Sequence, residues 1–520
     1  MSTTTRDAAT PPLLVRGGFV HTGDEDNQIL PDGSVLAVDG RIVAVGSEAD
    51  VAAACRQLDP AAARTLQTLD ARGSLVLPGF VNPHWHDMFA ARVAFRGAAR
   101  GVDDRCDQPG FLARGGDMPL ISALFDRFAA MITALTPGEA EAVARYSTWT
   151  QVRAGTTTLG DVGSLNHPAA LARAAAGLGI NAAVSTWASD VVSEGGSSAP
   201  RRTRDSVDVL QELSDLYALL GDDPAARVRA RPSAVYLTNV SDELLTGLAQ
   251  IVEAHQATFA THLGAQRNES AFVQRCFGRT PTQRLDDVGL VSDRLMAIHC
   301  AFLDGPDARR LVEARVHVNH SPAKYGPSGE STLSETGWIS GLVRRGHPVS
   351  LSTDGTLHPL GAMAENMRAA WQVHNETFAD QTVLPASAAL AMATRVAAAG
   401  LGWAETVGSL SPGKQADLVL VPTSGPAYLL NPRPLEAFLH TGGSGDVATV
   451  VAAGRVLIED HRAIGVDEDE LERDYLSALW SFSARQPGAD LAPLEHALGR
   501  RRPAAAGTRF GARFVTQEAS

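Results

Sequence analysis

The sequence predicts an α/β protein: a (β/α)8 TIM barrel with a small composite β-sandwich domain built from both chain ends. Two observations lead to this prediction. Between about residues 75 and 405, apolar β-rich runs alternate with helical patterns, and on either side of this region the chain returns to β-rich stretches. Strands that alternate with helices indicate a parallel sheet, and eight such strands can close into a barrel.

The first element is a small β unit at residues 13–46. LLVRGGFVHT alternates in hydropathy, and SVLAV and RIVAVG flank an Asp-Gly dipeptide that is typical of tight hairpins. Near the other end of the chain, VGSLSPGKQADLVLVP and VATVVAAGRVLIED repeat this β character. We therefore expect one composite β domain made of residues 13–74 and 406–465.

The barrel is assigned to residues 75–405. Its eight predicted strands occupy residues 75–81, 156–162, 180–186, 228–237, 257–262, 295–300, 316–320 and 348–353. Helical patterns such as PGEAEAVARYSTWTQVRAG and DELLTGLAQIVEAHQ separate them. Residues 466–520 are expected to form a C-terminal helix, DEDELERDYLSALWSFSA, followed by a tail rich in Pro, Ala and Arg.

Composition restricts the class of partner. A net charge of -13 argues against nucleic acid, because phosphate binding needs a basic surface. No stretch approaches eighteen consecutive apolar residues, so no membrane partner is expected. The polar N-terminus lacks the regions of a signal peptide, and the four cysteines form no CxxC pair, which predicts a cytoplasmic protein.

Residues able to bind a metal end five of the predicted barrel strands. They are His84 and His86 on the first strand, His262 on the fifth, His299 on the sixth, His320 on the seventh and Asp354 on the eighth. Active sites of such barrels lie at the C-terminal strand ends. Any one of these residues could be a buried hydrogen-bonded group, but the set together indicates a metal site. Imidazole and carboxylate ligands suit one divalent ion, Zn2+ first, with Fe2+ or Mn2+ as alternatives.

The chain resembles the amidohydrolase superfamily, and within it the branch of nucleobase, triazine and S-adenosylhomocysteine deaminases and chlorohydrolases. The resemblance spans roughly residues 13–465. It rests on the motifs LVLPGFVNPHWHD, RAGTTTLGD, THL, GRTPTQRLDDVGLVSDRLMAIHCAFLD, SLSTDG, AENMRAAW and MATRVAAAGLGWAETVGSLSPGKQADLVLV. The last motif and the HxH strand end are the most specific to the family.

This resemblance implies a role for each strand-end residue. The metal ligands would be His84, His86, His262 and Asp354. His299 would hydrogen-bond the attacking water or the substrate, and Asp354 would also accept the proton of that water. Members often form homodimers, so the resemblance implies a possible homodimer here.

Two-metal members of the superfamily carry a carboxylated lysine at the end of the fourth strand. The fourth predicted strand, RVRARPSAVYL, has no lysine, and the chain contains only two, Lys324 and Lys414. The sequence therefore favours a single metal ion.

The chain departs from the deaminases of this branch next to the fifth strand. There a glutamate three residues after the strand-end histidine transfers protons to the leaving amine, whereas this chain has Ala265 after His262. Gln266 is adjacent but cannot deliver a proton, because an amide does not titrate. Glu269 follows and is expected to face the next helix. The usual acid is therefore missing.

Three functions remain open. In the first, which the sequence favours, a metal-activated hydroxide attacks an sp2 carbon of a small heterocyclic substrate and hydrolyses a C–N bond other than a peptide bond. A cyclic amide, imide or amidine would suit, and so would displacement of a leaving group that needs little protonation. Asp354 would transfer the protons, helped by His299 or His320. The second is deamination of a nucleobase- or triazine-like ring with a substituted acid such as His320. The third, of another class, is a non-catalytic barrel used for binding or assembly.

Five further residues are candidate substrate contacts. Lys324 and Tyr325 lie in HSPAKYGPSGES after the seventh strand, although this stretch also reads as a plain turn. Gln266 and His358 follow the fifth and eighth strands, and Arg96 lies in the Gly- and Arg-rich loop at 95–119. Loops at that end of a barrel face the pocket.

Overall fold

The computed structural model describes residues 10–87, 117–197, 199–355 and 363–486. Arg96, His358, most of the loop at 95–119 and the tail after residue 486 lie outside these ranges. Within them the strands form one mixed sheet from the two chain ends, two parallel sheets from the middle of the chain, and a short pair, Val191–Val192 with Arg201–Arg202.

The mixed sheet joins the N-terminal and C-terminal parts of the chain as predicted. Its nine strands are Leu13–His21, Ile29–Val38, Arg41–Ser47, Gln67–Asp70, Ser74–Pro78, Leu418–Pro422, Thr449–Ala452, Arg455–Glu459 and Arg462–Ala463. The central strand Ser74–Pro78 pairs in parallel with Leu13–His21 and antiparallel with Leu418–Pro422. Apolar side chains from both chain ends, including Val15 and Leu418, share one core.

The prediction that residues 75–81 form one barrel strand is wrong. The structure divides this stretch into Ser74–Pro78 in the mixed sheet and Phe80–Trp85, the first parallel strand. The division falls at Gly79, whose N–H donates to Asp417 O, whereas the next N–H, of Phe80, donates to Gly155 O. A Cβ at Gly79 would collide with Thr157, so only glycine allows the chain to pass between the two sheets here.

Eight parallel strands follow, numbered here along the chain. They are Phe80–Trp85, Thr156–Asp161, Asn181–Val184, a fourth in two pieces (Val228–Ala230 and Ser233–Tyr236), Phe259–Leu263, Leu295–His299, His317–His320 and Val349–Leu351. The first piece of the fourth strand ends one sheet and its second piece begins the other. A bridge between Trp85 and Asp354 links the eighth strand to the first. This pairing order is the one that a closed parallel barrel requires.

Helices alternate with the parallel strands. The helices are Glu48–Cys55, Pro60–Thr65, Met118–Ile132, Pro137–Arg153, Pro168–Leu178, Ser206–Leu220, Asp242–Ala254, Glu269–Phe277, Pro281–Asp287, Gly305–Glu313, Pro322–Ser328, Trp338–Arg344, Met363–Phe378, Ala386–Met392, Arg395–Gly400, Pro426–Leu429, Pro434–Thr441 and Glu468–Arg485, with a 3-10 turn at Ser444–Asp446. Side-chain caps such as Ser241 and Asp304 begin several of them.

In the described ranges, no single helix has both the length and the apolar composition to cross a membrane. One pair, Met118–Ile132 and Pro137–Arg153, meets those two criteria together, but it is bent by 113°.

Candidate active site

Four predicted metal ligands converge at the C-terminal ends of the parallel strands. They are His84, His86, His262 and Asp354, and one donor atom from each lies within 4.8 Å of the others. The Nε2 atoms of His84 and His86 are each 3.5 Å from Asp354 Oδ1. His86 Nε2 is 3.2 Å from His262 Nε2. All four side chains are buried, so the donors face one another rather than solvent.

The backbone at two strand ends turns these side chains into the site. Asp354 has φ 54° and His299 has φ 75°, both in the left-handed region that non-glycine residues rarely adopt. The N–H of Asp354 donates to His84 O at 3.1 Å, which holds the end of the eighth strand against the first. Such conformations persist where the surrounding structure enforces them.

A hydrogen bond on the far side of the His262 imidazole leaves its inner nitrogen available. His262 Nδ1 donates to Val235 O, so its Nε2 presents a lone pair to the cluster. His84 is wholly buried, yet beyond the 3.5 Å approach of Nε2 to Asp354 Oδ1 neither ring nitrogen has a hydrogen-bond partner in the part of the chain that the structure describes. A buried polar group without a partner is rare, and a bound cation would satisfy it.

The protonation states of the four side chains suit the binding of a cation. Burial lowers the pKa of His84, and it holds the pKa values of His86 and His262 well below the usual range for histidine. These imidazoles are therefore neutral at pH 7, which is the form that binds metals. Burial would raise the pKa of Asp354, but the Lys324 ammonium and neighbouring histidines keep it well below its usual range. The donor set, three neutral imidazoles and one carboxylate, suits a divalent ion.

Lys324 and Glu330 form a charged network beside the ligands. Lys324 Nζ donates to Asp354 Oδ2 at 2.7 Å and pairs on its other side with Glu330 Oε2. Glu330 Oε1 accepts from Tyr236 Oη at 3.4 Å and lies 3.9 Å from His299 Nε2. The two carboxylate oxygens of Asp354 therefore have different neighbours: Oδ1 faces the histidine ligands and Oδ2 faces Lys324. Burial would lower the pKa of Lys324, but the two carboxylates raise it, so the ammonium stays charged.

Glu330 is the site residue that sequence reasoning missed. It follows helix Pro322–Ser328, which ends at Gly329 in the left-handed conformation, so that the chain turns and Glu330 points inwards. Its side chain is 6% exposed. Burial, strengthened by nearby Asp354 and opposed by Lys324, raises the pKa of the carboxyl. The signal in the sequence is weak: an acidic residue in the already singled-out stretch HSPAKYGPSGES.

Tyr325 contacts His299. Its hydroxyl accepts from Ser321 N at 3.1 Å and lies 3.0 Å from His299 Nδ1. We assign the hydroxyl proton to Nδ1, because burial keeps the hydroxyl protonated and its proton needs an acceptor. This assignment leaves the histidine proton on Nε2, 3.4 Å from Asp354 Oδ2. Burial lowers the pKa of His299 to about 4, so the ring is neutral at pH 7. Direct contact of Tyr325 with substrate stays a prediction, as it does for Lys324.

Three residues near the fifth and seventh strands stand apart from the ligands. His320 Nε2 lies 3.4 Å from His374 Nε2, and His320 belongs to neither of the two ligand groups of the described residues, so its role in proton transfer stays a prediction. Gln266 is buried, and neither amide atom has a partner among the described residues. Glu269 turns back towards the end of the fifth strand rather than facing only its own helix: its carboxylate accepts from Gly264 N and Ala265 N at 3.0 and 2.9 Å.

Comparison with known proteins agrees with this geometry. Residues 75–457 match the amidohydrolase family. The chain belongs to the amidohydrolase family. It is a metal-dependent hydrolase that acts on carbon–nitrogen bonds, which goes against the binding-only alternative.

Two curated relatives of this amidohydrolase are deaminases. It is 30% identical over 468 residues to the 5-methylthioadenosine/S-adenosylhomocysteine deaminase of Syntrophobacter fumaroxidans, with 88% of this chain and 95% of the relative covered. It is also 30% identical over 456 residues to the 5'-deoxyadenosine deaminase of Methanothermobacter thermautotrophicus, with coverages of 87% and 94%.

Solved structures show the same fold. A zinc-bound adenosine deaminase from Xanthomonas campestris superposes with a TM-score of 0.75 at 22% identity, covering 91% of this amidohydrolase and 98% of that chain. The zinc complex of the atrazine chlorohydrolase TrzN from Arthrobacter aurescens gives a TM-score of 0.74 at 23% identity, with coverages of 90% and 100%.

Proposed function

We propose that this amidohydrolase deaminates an adenosine-like heterocycle at a single zinc ion held at one end of a closed (β/α)8 barrel. The observation that carries the proposal is the buried group of three histidines and Asp354 beside a second carboxylate, Glu330. Support comes from the similarity, over most of both chains, to deaminases of 5'-deoxyadenosine and 5-methylthioadenosine.

The sequence favours hydrolysis of a cyclic amide because Ala265 stands where the deaminases have their proton-transferring glutamate. Glu330 supplies a carboxylate within 4.8 Å of donor atoms of Asp354 and His299, which favours deamination. Cyclic-amide hydrolysis remains a prediction that the same assay can test. The ammonium of Lys324 against Asp354 Oδ2 supports a single metal ion, because a second cation there would be repelled.

The residues divide the chemistry among them. The three ligand histidines and Asp354 would hold the ion, which when bound acts as a Lewis acid and eases the deprotonation of water. Asp354 accepts the proton of the attacking water. His299, with its proton on Nε2, donates a hydrogen bond to the attacking oxygen and so orients it towards the substrate carbon.

The test combines metal analysis with a substrate panel. The purified protein, as isolated and after addition of zinc, is incubated with adenosine, 5'-deoxyadenosine, 5-methylthioadenosine and a set of cyclic amides and imides. Ammonia and ring opening are measured separately. We expect zinc-dependent release of one ammonia per molecule of an adenosine-like substrate. Ring opening of a cyclic amide without any ammonia from the purines would contradict the proposal, and so would inactivity of the zinc-loaded protein on the whole panel.

Asp354→Asn gives the matched residue test. Because the substitution removes both a ligand charge and the proton acceptor, we expect kcat to fall by roughly 10³-fold or more together with metal content. Asp208→Asn, the same change at an exposed position of helix Ser206–Leu220, should leave both unchanged. A kcat for Asp354→Asn within a few-fold of wild type would contradict the assignment.

A further inference from the structure

We propose that Glu330 carries the proton to the departing amine. It would take the role of the glutamate that related deaminases have at the position of Ala265. The inference rests on the proposed deamination and adds to it a catalytic residue from a different strand end. Glu330 follows the seventh parallel strand, whereas Ala265 follows the fifth.

The chemistry requires a second proton carrier. An amine departs from a tetrahedral carbon only when its nitrogen is protonated, because the amide anion is far too basic to leave. Asp354 already carries the first proton, from the attacking water to the ring nitrogen, and its Oδ2 is held by Lys324. Gln266 has only an amide, which does not titrate.

Glu330 has the position for this task. Its Oε1 lies 3.9 Å from His299 Nε2, and it forms with His299 and Asp354 the second converging group of donor atoms among the described residues. Glu269, the other buried carboxylate near the fifth strand, is turned away: its two oxygens accept from the N–H groups of Gly264 and Ala265. Of Glu269 and Glu330, only Glu330 faces His299.

Lys324 favours the carboxylate form of Glu330 and fixes the position of its side chain. The ammonium bridges Glu330 Oε2 and Asp354 Oδ2, so the two carboxylates share one cation instead of repelling each other. Tyr236 donates its hydroxyl proton to Oε1. The carboxylate is therefore anchored on both sides.

The step balances with water as the only co-reactant. Water adds its oxygen to the carbon that bears the amino group, and one water proton passes through Asp354 to the ring nitrogen. Glu330 takes the remaining hydroxyl proton and gives it to the amino nitrogen. The C–N bond then breaks with its electron pair on nitrogen, ammonia leaves and a C=O group remains. Glu330 returns to its carboxylate form.

A change of leaving group tests this role. Chloride departs without protonation, so the 6-chloro analogue of the purine substrate bypasses Glu330 while still needing the metal and Asp354. In Glu330→Gln we expect ammonia release to fall at least 100-fold and chloride release to fall less than 5-fold. Glu335→Gln, the same change in the exposed ion pair with Arg267, should leave both rates unchanged.

Two further readouts separate chemistry from structure. Metal content, measured by mass spectrometry, should be the same in Glu330→Gln and wild type, because Glu330 is proposed to transfer protons and not to bind the metal. Glu330→Asp keeps the charge beside Lys324 but shortens the side chain, and an intermediate loss of ammonia release is expected even if the Gln variant is unstable.

The inference is overturned if both leaving groups slow equally, if neither slows, or if metal is lost with Glu330. If wild type releases chloride or ammonia from no purine at all, the proposed function itself fails, and the Glu330 assignment fails with it. If wild type deaminates and Glu330→Gln does so equally well, only the Glu330 assignment fails.

Discussion

At the scale of single residues, the site depends on hydrogen bonds that fix which ring nitrogen carries a proton. Val235 O takes the Nδ1 proton of His262 and frees its Nε2 for a metal. Tyr325 does the opposite for His299, since its hydroxyl donates to Nδ1 and leaves the proton on Nε2. One histidine is thereby prepared as a ligand and the other as a hydrogen-bond donor.

Tyr325→Phe tests the second of these roles. Without the hydroxyl, His299 can adopt either tautomer, and we expect kcat to fall by about tenfold, the equivalent of roughly 1.4 kcal/mol. KM and metal content should change less than twofold, because Tyr325 acts through His299 and touches no ligand. The control is Tyr428→Phe, whose hydroxyl has no hydrogen-bond partner among the described residues. A change in KM alone would instead favour direct substrate contact.

At the scale of elements, the C-terminal helix Glu468–Arg485 packs along helix Pro137–Arg153. Trp149 Nε1 donates to Glu468 Oε1 at 2.8 Å, near the start of the C-terminal helix. Near its end, Arg485 donates through both terminal nitrogens to Glu139 at 2.5 Å. A helix that lies outside the family match at 75–457 is thus attached to the parallel sheets through the helix that precedes the second strand.

The Glu139–Arg485 pair gives this contact a pH dependence. Burial would raise the pKa of Glu139, but hydrogen bonds from Arg485 and from the helix cap lower it to about 2, from an ordinary 4.5. A carboxyl whose pKa is lower in the folded protein than in the unfolded chain stabilises the folded state at pH values above its unfolded pKa. The contribution of Glu139 is therefore complete above about pH 4.5 and is lost as the pH falls towards 2.

Glu139→Gln should therefore lower the free energy of unfolding by about 1 kcal/mol at pH 7 and by less at pH 3. Thermal unfolding of both proteins at the two pH values measures this. Glu141→Gln, which disrupts the exposed pair with Arg173, is the control and should change little at either pH. An equal loss for Glu139→Gln at both pH values would show that packing rather than charge stabilises the contact.

At the scale of the whole molecule, distant parts of the chain meet at two places. The mixed sheet places Ser74–Pro78 between strands from the two chain ends. The ligand group draws together the ends of the first, fifth and eighth parallel strands. A metal ion there would connect segments that are far apart in sequence and would bind the folded state in preference to the unfolded one.

Metal loading should consequently raise the melting temperature. At a free zinc concentration one hundred times the Kd, the expected stabilisation is about 2.7 kcal/mol, and a chelator should reverse it. His262→Asn should abolish the zinc-dependent shift. His255→Asn, which changes a histidine paired with Asp222 at the end of helix Asp242–Ala254, should keep it. A zinc-dependent shift of equal size in His262→Asn would place the metal elsewhere.

The sequence by itself determined the alternation of strands and helices, the mixed sheet from both chain ends, and the histidines and aspartate that converge. The signals for these features are local even though the contacts are not: a strand is recognised by its own apolar run, and parallel strands bring their carboxyl ends to one edge whatever lies between them.

Only the tertiary structure decided where the first parallel strand begins, how His320 is oriented and that Glu330 enters the site. The strand start depends on close packing at Gly79 between two sheets. Glu330 lies ten residues beyond the strand end at His320, after a short helix and a left-handed glycine. No periodic pattern covers such a turn, so its direction follows from packing alone. That packing brings a carboxylate to the site of a chain that has Ala265, not glutamate, three residues after His262.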